Sequence, residues 1–304
     1  MCKLHVVAIL LGTILEFVFG RMYSIWNPMD SIKRLVTFLD RALLGDEIIL
    51  LEPDKQRNLG RWLIFLVILP VFSVILFFTL LCYEIAPWLG VLFEAVATYF
   101  CLDERRLYYG GLDVMSEFYS DGISSMKQSA GLFMECEEEG DTEAAVSSDV
   151  ITYIANEASD SVISPLLVLF LFGPVGGFLY RSIDIVDKRI GHKTYRYEYF
   201  GEPIARLNTI IDFIPSWFSG VLTVFAAKYT FGDFNGKNAR YIHMRDRRKA
   251  ISAFAGALEI VLADGMIGDE DKHTEAKDIQ RAVMLMRNCF LLCQLILVIL
   301  LLFF

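Results

Sequence analysis

Residues 156–193 read NEASDSVISPLLVLFLFGPVGGFLYRSIDIVDKRIGHK. The middle of this stretch, 161–180, carries no Asp, Glu, Lys or Arg. A helix needs about 20 predominantly apolar residues to cross the hydrocarbon core of a bilayer, so 161–180 reads as a membrane span. Both of its ends are polar. Asn156, Glu157 and Asp160 precede it, and Asp184, Asp187, Lys188, Arg189, His192 and Lys193 follow it. Arg206 and Asp212 then open the next apolar stretch. Ionisable groups at or near membrane depth are expensive and mark sites more often than scaffolding. The same groups also suit interfacial anchoring and ion pairing, and periodicity alone leaves both roles open.

Working outward, 62–83 and 288–304 are also free of acidic and basic residues. The 304-residue chain is 55% hydrophobic with a mean hydropathy of +0.47, above the ~45–50% apolar content of soluble domains. The expectation is an all-α, polytopic membrane protein with about five to seven membrane-embedded helices and sizeable helical loops. Spans are expected near 4–20, 62–82, 161–180, 207–227 and 288–304. Two segments are ambiguous: 83–100, which carries Glu84, Pro87 and Glu94, and 250–263, which is too short to cross straight. No small-x-small cleavage site follows the first apolar run, so it reads as a retained helix. The basic segments 21–61, 181–206 and 228–287 cannot all face one side if five spans simply alternate. A single domain over 1–304 is expected, with an acidic loop at about 101–150 and a C-terminal membrane helix at about 288–304. Within that loop, 105–134 has apolar residues at helical spacing. Pro70, Pro165, Pro174 and Pro215 interrupt apolar segments, either as ordinary kinks or as the broken helices that frame binding sites.

The net charge is −9, and no basic, aromatic-interleaved patch points to nucleic acid. Six cysteines form no C-x-x-C pair; Cys289 and Cys293, at i and i+4, read as packing residues rather than a disulfide or metal pair. His5, His192, His243 and His273 make no metal-ligand spacing. GDFNGKN at 232–238 is one residue short of a phosphate-binding loop and lacks its Ser/Thr, so it reads as a turn. The acid-rich stretch 263–275 lacks the order of a calcium loop and reads as solvated.

The polar clusters resemble, in order and spacing, those of the CobD/CbiB integral membrane proteins of cobalamin biosynthesis. The resemblance covers most of the chain and is densest in 138–220. Where members carry G-R-D-T and then A-E-N-T-S-D-G-V-(I/V)-A-P, this chain keeps Asp141, Thr142, Ser159, Asp160 and Pro165. It has Gly140 for the Arg and shows the E-N pair reversed as Asn156-Glu157. Tyr180, Arg181, Asp187, Gly191 and Lys193 match Y-(K/R)-A-(I/V)-N-T-L-D-S-M-(I/V)-G-Y-K, with Asp184-Ile185 in place of N-T. Arg196, Tyr197, Phe200, Gly201, Ala205 and Arg206 match the following block. There the D-D pair is Asn208-Thr209, a later Asn is Asp212, and a later Arg is Trp217. Near the ends, Pro28, Ile32 and Arg34, and Arg245, Asp246, Ser252, Gly256 and Glu259, survive from two fainter motifs.

The resemblance implies an amide-forming ligase. With ATP and Mg2+ it would join an aminopropanol (phosphate) arm to a propionate of adenosylcobyric acid, in the bacterial inner membrane. Corrinoid and amine substrates and the lipid bilayer are its implied partners. Asp160, Asp187 and Glu259 become the candidates for general base or magnesium contact. Lys193, Arg206 and Arg245 become clamps for phosphate or carboxylate. Ser252, Asn156, Glu157 and Asp141 complete the candidate substrate contacts. The departures at 208, 209 and 217 keep open a second class, a non-catalytic membrane paralogue that binds a corrinoid, nucleotide or protein. The Pro/Gly-broken spans motivate a third, a transporter or channel.

Overall fold

The computed structural model describes residues 2–22, 26–45, 52–136, 138, 140–246, 249–263, 265–268 and 274–303. Asp264 and residues 269–273 of the acid-rich stretch 263–275, His273 among them, the acidic positions Glu137 and Glu139, and part of the loop 21–61 lie outside the described residues. Among the described residues there are twelve α-helices and one isolated β-bridge, Leu262 with Ile267, but no strand. The helices are α1 (Cys2–Phe19), α2 (Pro28–Leu44), α3 (Pro53–Ile85), α4 (Pro87–Cys101), α5 (Glu104–Asp121) and α6 (Ile123–Met134). They continue with α7 (Glu143–Glu157), α8 (Ser164–Ile190), α9 (Glu202–Tyr229), α10 (Gly236–Arg245), α11 (Lys249–Leu258) and α12 (Ala276–Phe303). A π-helical segment, Ala158–Ile163, joins α7 to α8.

Four stretches are long and apolar enough to cross a membrane: Pro53–Ile85, Glu143–Ile190, Glu202–Tyr229 and Ala276–Phe303. In α3 only Gln56, Gly60, Leu63 and Val67, spaced at i, i+4, i+7 and i+11, are buried. The remaining surface presents Phe65, Leu69, Phe72, Phe77 and Leu80 outward. A contiguous outward apolar surface of that size suits lipid rather than water.

The chain divides into two compact units, each assembled from separated stretches. The first takes Met1–Leu102, Pro165–Phe213 and Leu300–Phe304. Its core joins Ile32, Val36 and Leu39 of α2 with Leu63 and Val67 of α3, Cys101 of α4, and Phe178, Ile183, Val186 and Ile190 of α8. Asn27 starts α2 by accepting the Met29 N–H at 2.9 Å, and Pro28 follows at N1, where no N–H is needed. Most of the ambiguous segment 83–100 proves to be α4, which extended Ala86 sets off from α3 and Pro87 opens.

The second unit takes Asp103–Ser164 and Ile214–Ile299. The amphipathic loop expected over 105–134 is two helices, because Gly122 adopts φ 81°, a conformation that ends α5. The other ambiguous segment contains α11, whose residues from Ala250 to Leu258 are all buried. A short apolar helix is more often core than span, and α11 is core.

Gly173 breaks α8, with φ 65° and ψ −163°. In an unbroken helix the Phe170 carbonyl would accept from the N–H of residue 174, but residue 174 is proline and has none. His5 Nε2 of α1 donates to the Phe170 carbonyl instead, at 2.9 Å. His5 Nδ1 contacts Glu94 Oε1 of α4, and Tyr83 Oη of α3 donates to Glu94 Oε2 at 2.7 Å. A break at membrane depth is tolerated when protein groups satisfy the backbone it frees, and His5 does that here.

Candidate functional site

In the first unit, α8 presents Tyr180, Arg181, Asp184, Asp187 and Lys188 over two turns, a 3-to-4-residue spacing that keeps them on neighbouring faces. Arg181 Nη1 donates to Asp184 Oδ2 at 2.9 Å, and Lys188 Nζ lies 3.1 Å from the same oxygen. Arg181 and Asp184 are buried. Helix α9 runs back along α8 and reaches it twice. Asn208 Nδ2 donates to Asp187 Oδ2 at 2.7 Å, and Tyr180 Oη donates to Asp212 Oδ1 at 2.7 Å. Two carboxylates one turn apart, flanked by Arg and Lys, are a donor set suited to a magnesium–phosphate group: oxygen ligands for the metal, cations for the phosphate.

The turn between α8 and α9 adds exposed cations. Lys193 is exposed. Arg206 is also exposed and pairs with Glu202, which accepts from Arg57 Nε at 2.7 Å as well. Tyr197 donates to Asp40 Oδ2 at 3.0 Å. Burial first, and then that carboxylate, push its phenol above the ordinary range.

In the second unit, the π-helical segment carries Asp160, buried along with every residue from Ala158 to Ile163. Single π-turns inside longer helices occur disproportionately at functional sites. Ser161 Oγ donates to Glu157 Oε2, and the Ser161 carbonyl accepts the Asp103 N–H at 3.2 Å. Asn156 is half-buried beside them in sequence. Arg106 of α5 donates from Nη2 to Tyr153 Oη at 3.2 Å, and its Nε stands 3.8 Å from Asp103 Oδ2. Burial works against the Arg106 charge, but Asp103, Tyr153 and Glu157 outweigh it and hold the guanidinium above its ordinary range.

The remaining candidates in the second unit stand apart from that cluster in their partners. Asp141 is exposed and pairs with Lys127 at 3.0 Å. Glu259 is exposed with φ 58° and accepts from Asn235 Nδ2 at 2.6 Å. Arg245 donates to the Gly268 carbonyl at 2.9 Å. Ser252 is fully buried, 3.0 Å from His243 Nδ1. The structure therefore pairs Glu157 with Ser161, next to the buried Asp160 in sequence, and Asp184 with Arg181 and Lys188, one helical turn from Asp187.

Sequence reading missed Asp103, Arg106 and Tyr153, and also the His5–Glu94–Tyr83 set. The signal for the former was present: C-L-D-E-R-R-L at 101–107 places four charges directly after an apolar stretch. Among the described residues no three His, Cys, Asp or Glu side chains gather closely enough to hold a metal by themselves. Mg2+ bound with a nucleotide takes only one or two carboxylates and fills its shell with phosphate and water. Asp184 and Asp187 meet that smaller demand.

The model of the CobD/Cbib protein family matches residues 9–286. The cobalamin biosynthesis protein CobD of Clostridium perfringens is 25% identical, over 90% of this chain and 91% of its own length. That of Brucella melitensis is 27% identical over 86% and 82%. The probable cobalamin biosynthesis protein CobD of Methanococcus maripaludis is 36% identical over 36% of this chain and 35% of its own. No solved structure matches the chain.

Proposed function

The chain belongs to the CobD/Cbib protein family, and from that membership we propose that it is a cobalamin-biosynthesis enzyme of the bacterial inner membrane, crossing it several times. Its reaction is the ATP-dependent joining of an aminopropanol (phosphate) arm to a carboxylate of adenosylcobyric acid. The observation that carries the proposal is the Arg181–Asp184–Lys188 set with Asp187, ionisable groups at the end of an apolar helix within the family match. Charge placed there is costly unless it has a task.

ATP with Mg2+ supplies the phosphoryl group that activates the carboxylate for attack by the amine. Asp184 and Asp187 would supply this chain's oxygen ligands to the metal, and Arg181, Lys188 and Lys193 would offset the phosphate charge. In phosphoryl transfer such groups work mainly by positioning and by offsetting charge. By the family resemblance alone, Asp160, buried on the π-helical segment of the second unit, remains a general-base candidate. Asp141, Asn156, Arg206, Arg245, Ser252 and Glu259 stand as second-rank substrate contacts.

The test is complementation. A bacterium lacking its own CobD/CbiB protein, given cobyric acid, should regain cobalamin-dependent growth when it expresses this chain. Absence of growth, with the protein confirmed in the membrane, would sink the ligase reading. One observation favours the alternative, a non-catalytic paralogue. Asn208 stands where the resembled pattern has a carboxylate, and its amide already satisfies an Asp187 oxygen. If Asn208→Asp raises a weak complementing activity, the site is a reduced catalytic one; if it has no effect on a silent chain, the paralogue reading gains.

A further inference from the structure

Helix α10 folds back antiparallel along the last turns of the α9 span. Two glycine contacts set this register. A Cβ on Gly236 would lie 2.7 Å from Lys228 Cα, and one on Gly220 would lie 2.9 Å from His243 Nε2. From Lys228 back to Gly220 is two turns, about 12 Å of helix. Arg240 sits midway between the two contacts, so it accompanies α9 about 6 Å inside the level of Lys228. The window in which α9 is apolar enough to span belongs to the same helix, Glu202–Tyr229.

A cleft of about 440 Å³ opens between these helices in the second unit. Trp217, Val221 and Phe225 line it from α9, with Lys228 at its end, and Arg240 and His243 from α10. Among the described residues no carboxylate lines it. Lys228 stands 4.8 Å from the Tyr229 ring centroid, and neither Lys228 nor Arg240 makes an ion pair among the described residues. Trp217, Phe225 and Tyr229 are all exposed, as aromatic residues are in the belt where a bilayer meets water. A cation at that depth is stable when an anion reaches it from the membrane side, and basic pockets beside spans take anionic headgroups.

We infer that this cleft binds an anionic phospholipid. Lys228 and Arg240 hold the phosphate, and an acyl chain lies along Trp217, Val221 and Phe225. The occupant is a lipid rather than a free phosphate because the walls below the two cations are apolar and continue the membrane-facing surface of α9. A soluble anion would leave that surface uncovered.

The test uses the full chain in phosphatidylcholine nanodiscs. Brominated phosphatidylglycerol or brominated phosphatidylcholine is added at equal mole fraction, and quenching is taken as the difference between the wild type and Trp217→Phe. The expected result is several-fold stronger Trp217 quenching by the glycerol lipid. That preference should vanish in Lys228→Gln/Arg240→Gln and survive in Arg240→Lys, with helical circular dichroism unchanged in both. Equal quenching by the two lipids overturns the inference, as does a preference that persists in the double variant. Relief of quenching by millimolar inorganic phosphate overturns the lipid assignment in favour of a phosphate site.

Discussion

Asp184 is buried and receives both Arg181 and Lys188, while Asp187, three residues on, accepts from Asn208 of the neighbouring helix. On the ligase reading, Asp187→Asn should lower complementing activity on the order of 10²-fold or more, with membrane levels unchanged by immunoblot. Lys193→Met, exposed in the following turn, should do the same without a stability cost. Full activity in both would remove them from the site. Glu104 offers a test independent of function. It is fully buried, accepts Arg287 Nε at 2.8 Å, and its second oxygen has no hydrogen-bond partner among the described residues. Burial pushes its carboxyl above the ordinary range, and Arg287 pulls against that. A raised folded-state pKa means that the contribution of Glu104 is most favourable below the unfolded value, about 4.3. It is lost as pH rises through the folded value. Arg287→Met should therefore cost about 3–5 kcal/mol at pH 7, the penalty of a buried unpaired charge. The cost should be clearly smaller near pH 4.5, where Glu104 accepts a proton. Thermal unfolding in detergent at the two pH values checks this, and equal losses at both would contradict it. Asp184 and Asp187 were legible as a cluster because they close an apolar run. Arg106 and Tyr153 were not, because residues 47 apart in sequence meet only through packing.

Among elements, the broken helix α8 is the most specific. Proline at 174 and glycine at 173 announce an interruption, but not the partner that makes it tolerable. His5 is that partner, and the geometry assigns its proton. A carbonyl only accepts, so Nε2 carries hydrogen, and a single proton is shared between Nδ1 and Glu94 in either charge state. His5→Ala should cost about 1–3 kcal/mol, read as a lowered unfolding temperature in detergent, because it strands a buried carboxyl group and a carbonyl together. His5→Gln, which can both donate and accept, should recover part of the loss. Equal stability in all three proteins would mean that another group closes the break. The fates of the two ambiguous segments show why apolar content alone cannot assign an element. Most of residues 83–100 form α4, whose Glu94 is needed by α1 and α3, whereas 250–263 supplies the buried run Ala250–Leu258 of α11. Both read alike in one dimension. What differs is the number of neighbours that close around them.

At the scale of the whole molecule, each compact unit draws on both sides of the loop 191–201. A chain cut there would leave neither half with a complete unit. Fragments 1–192 and 193–304 should each be degraded when expressed alone and recover protease resistance when co-expressed. A stable fragment 1–192 by itself would show that the units are less interdependent than their composition implies. The sequence by itself determined that this is a helical membrane protein, which family it belongs to, and where four of the five expected spans lie; the fifth, near 4–20, is α1, which is not among the described helices long and apolar enough to cross. Those properties follow from local composition and from ordered motifs along one dimension. It also placed Asp160 and Asp187 at the ends of an apolar stretch. Only the tertiary structure decided that Asp160 is buried on a π-helical turn whose Ser161 donates to Glu157, that Asp187 is bonded to Asn208, and that His5 completes a helix broken far along the chain. The physical reason is that a buried polar group must be satisfied. The nearest available partner in space is set by packing, which sequence distance does not encode.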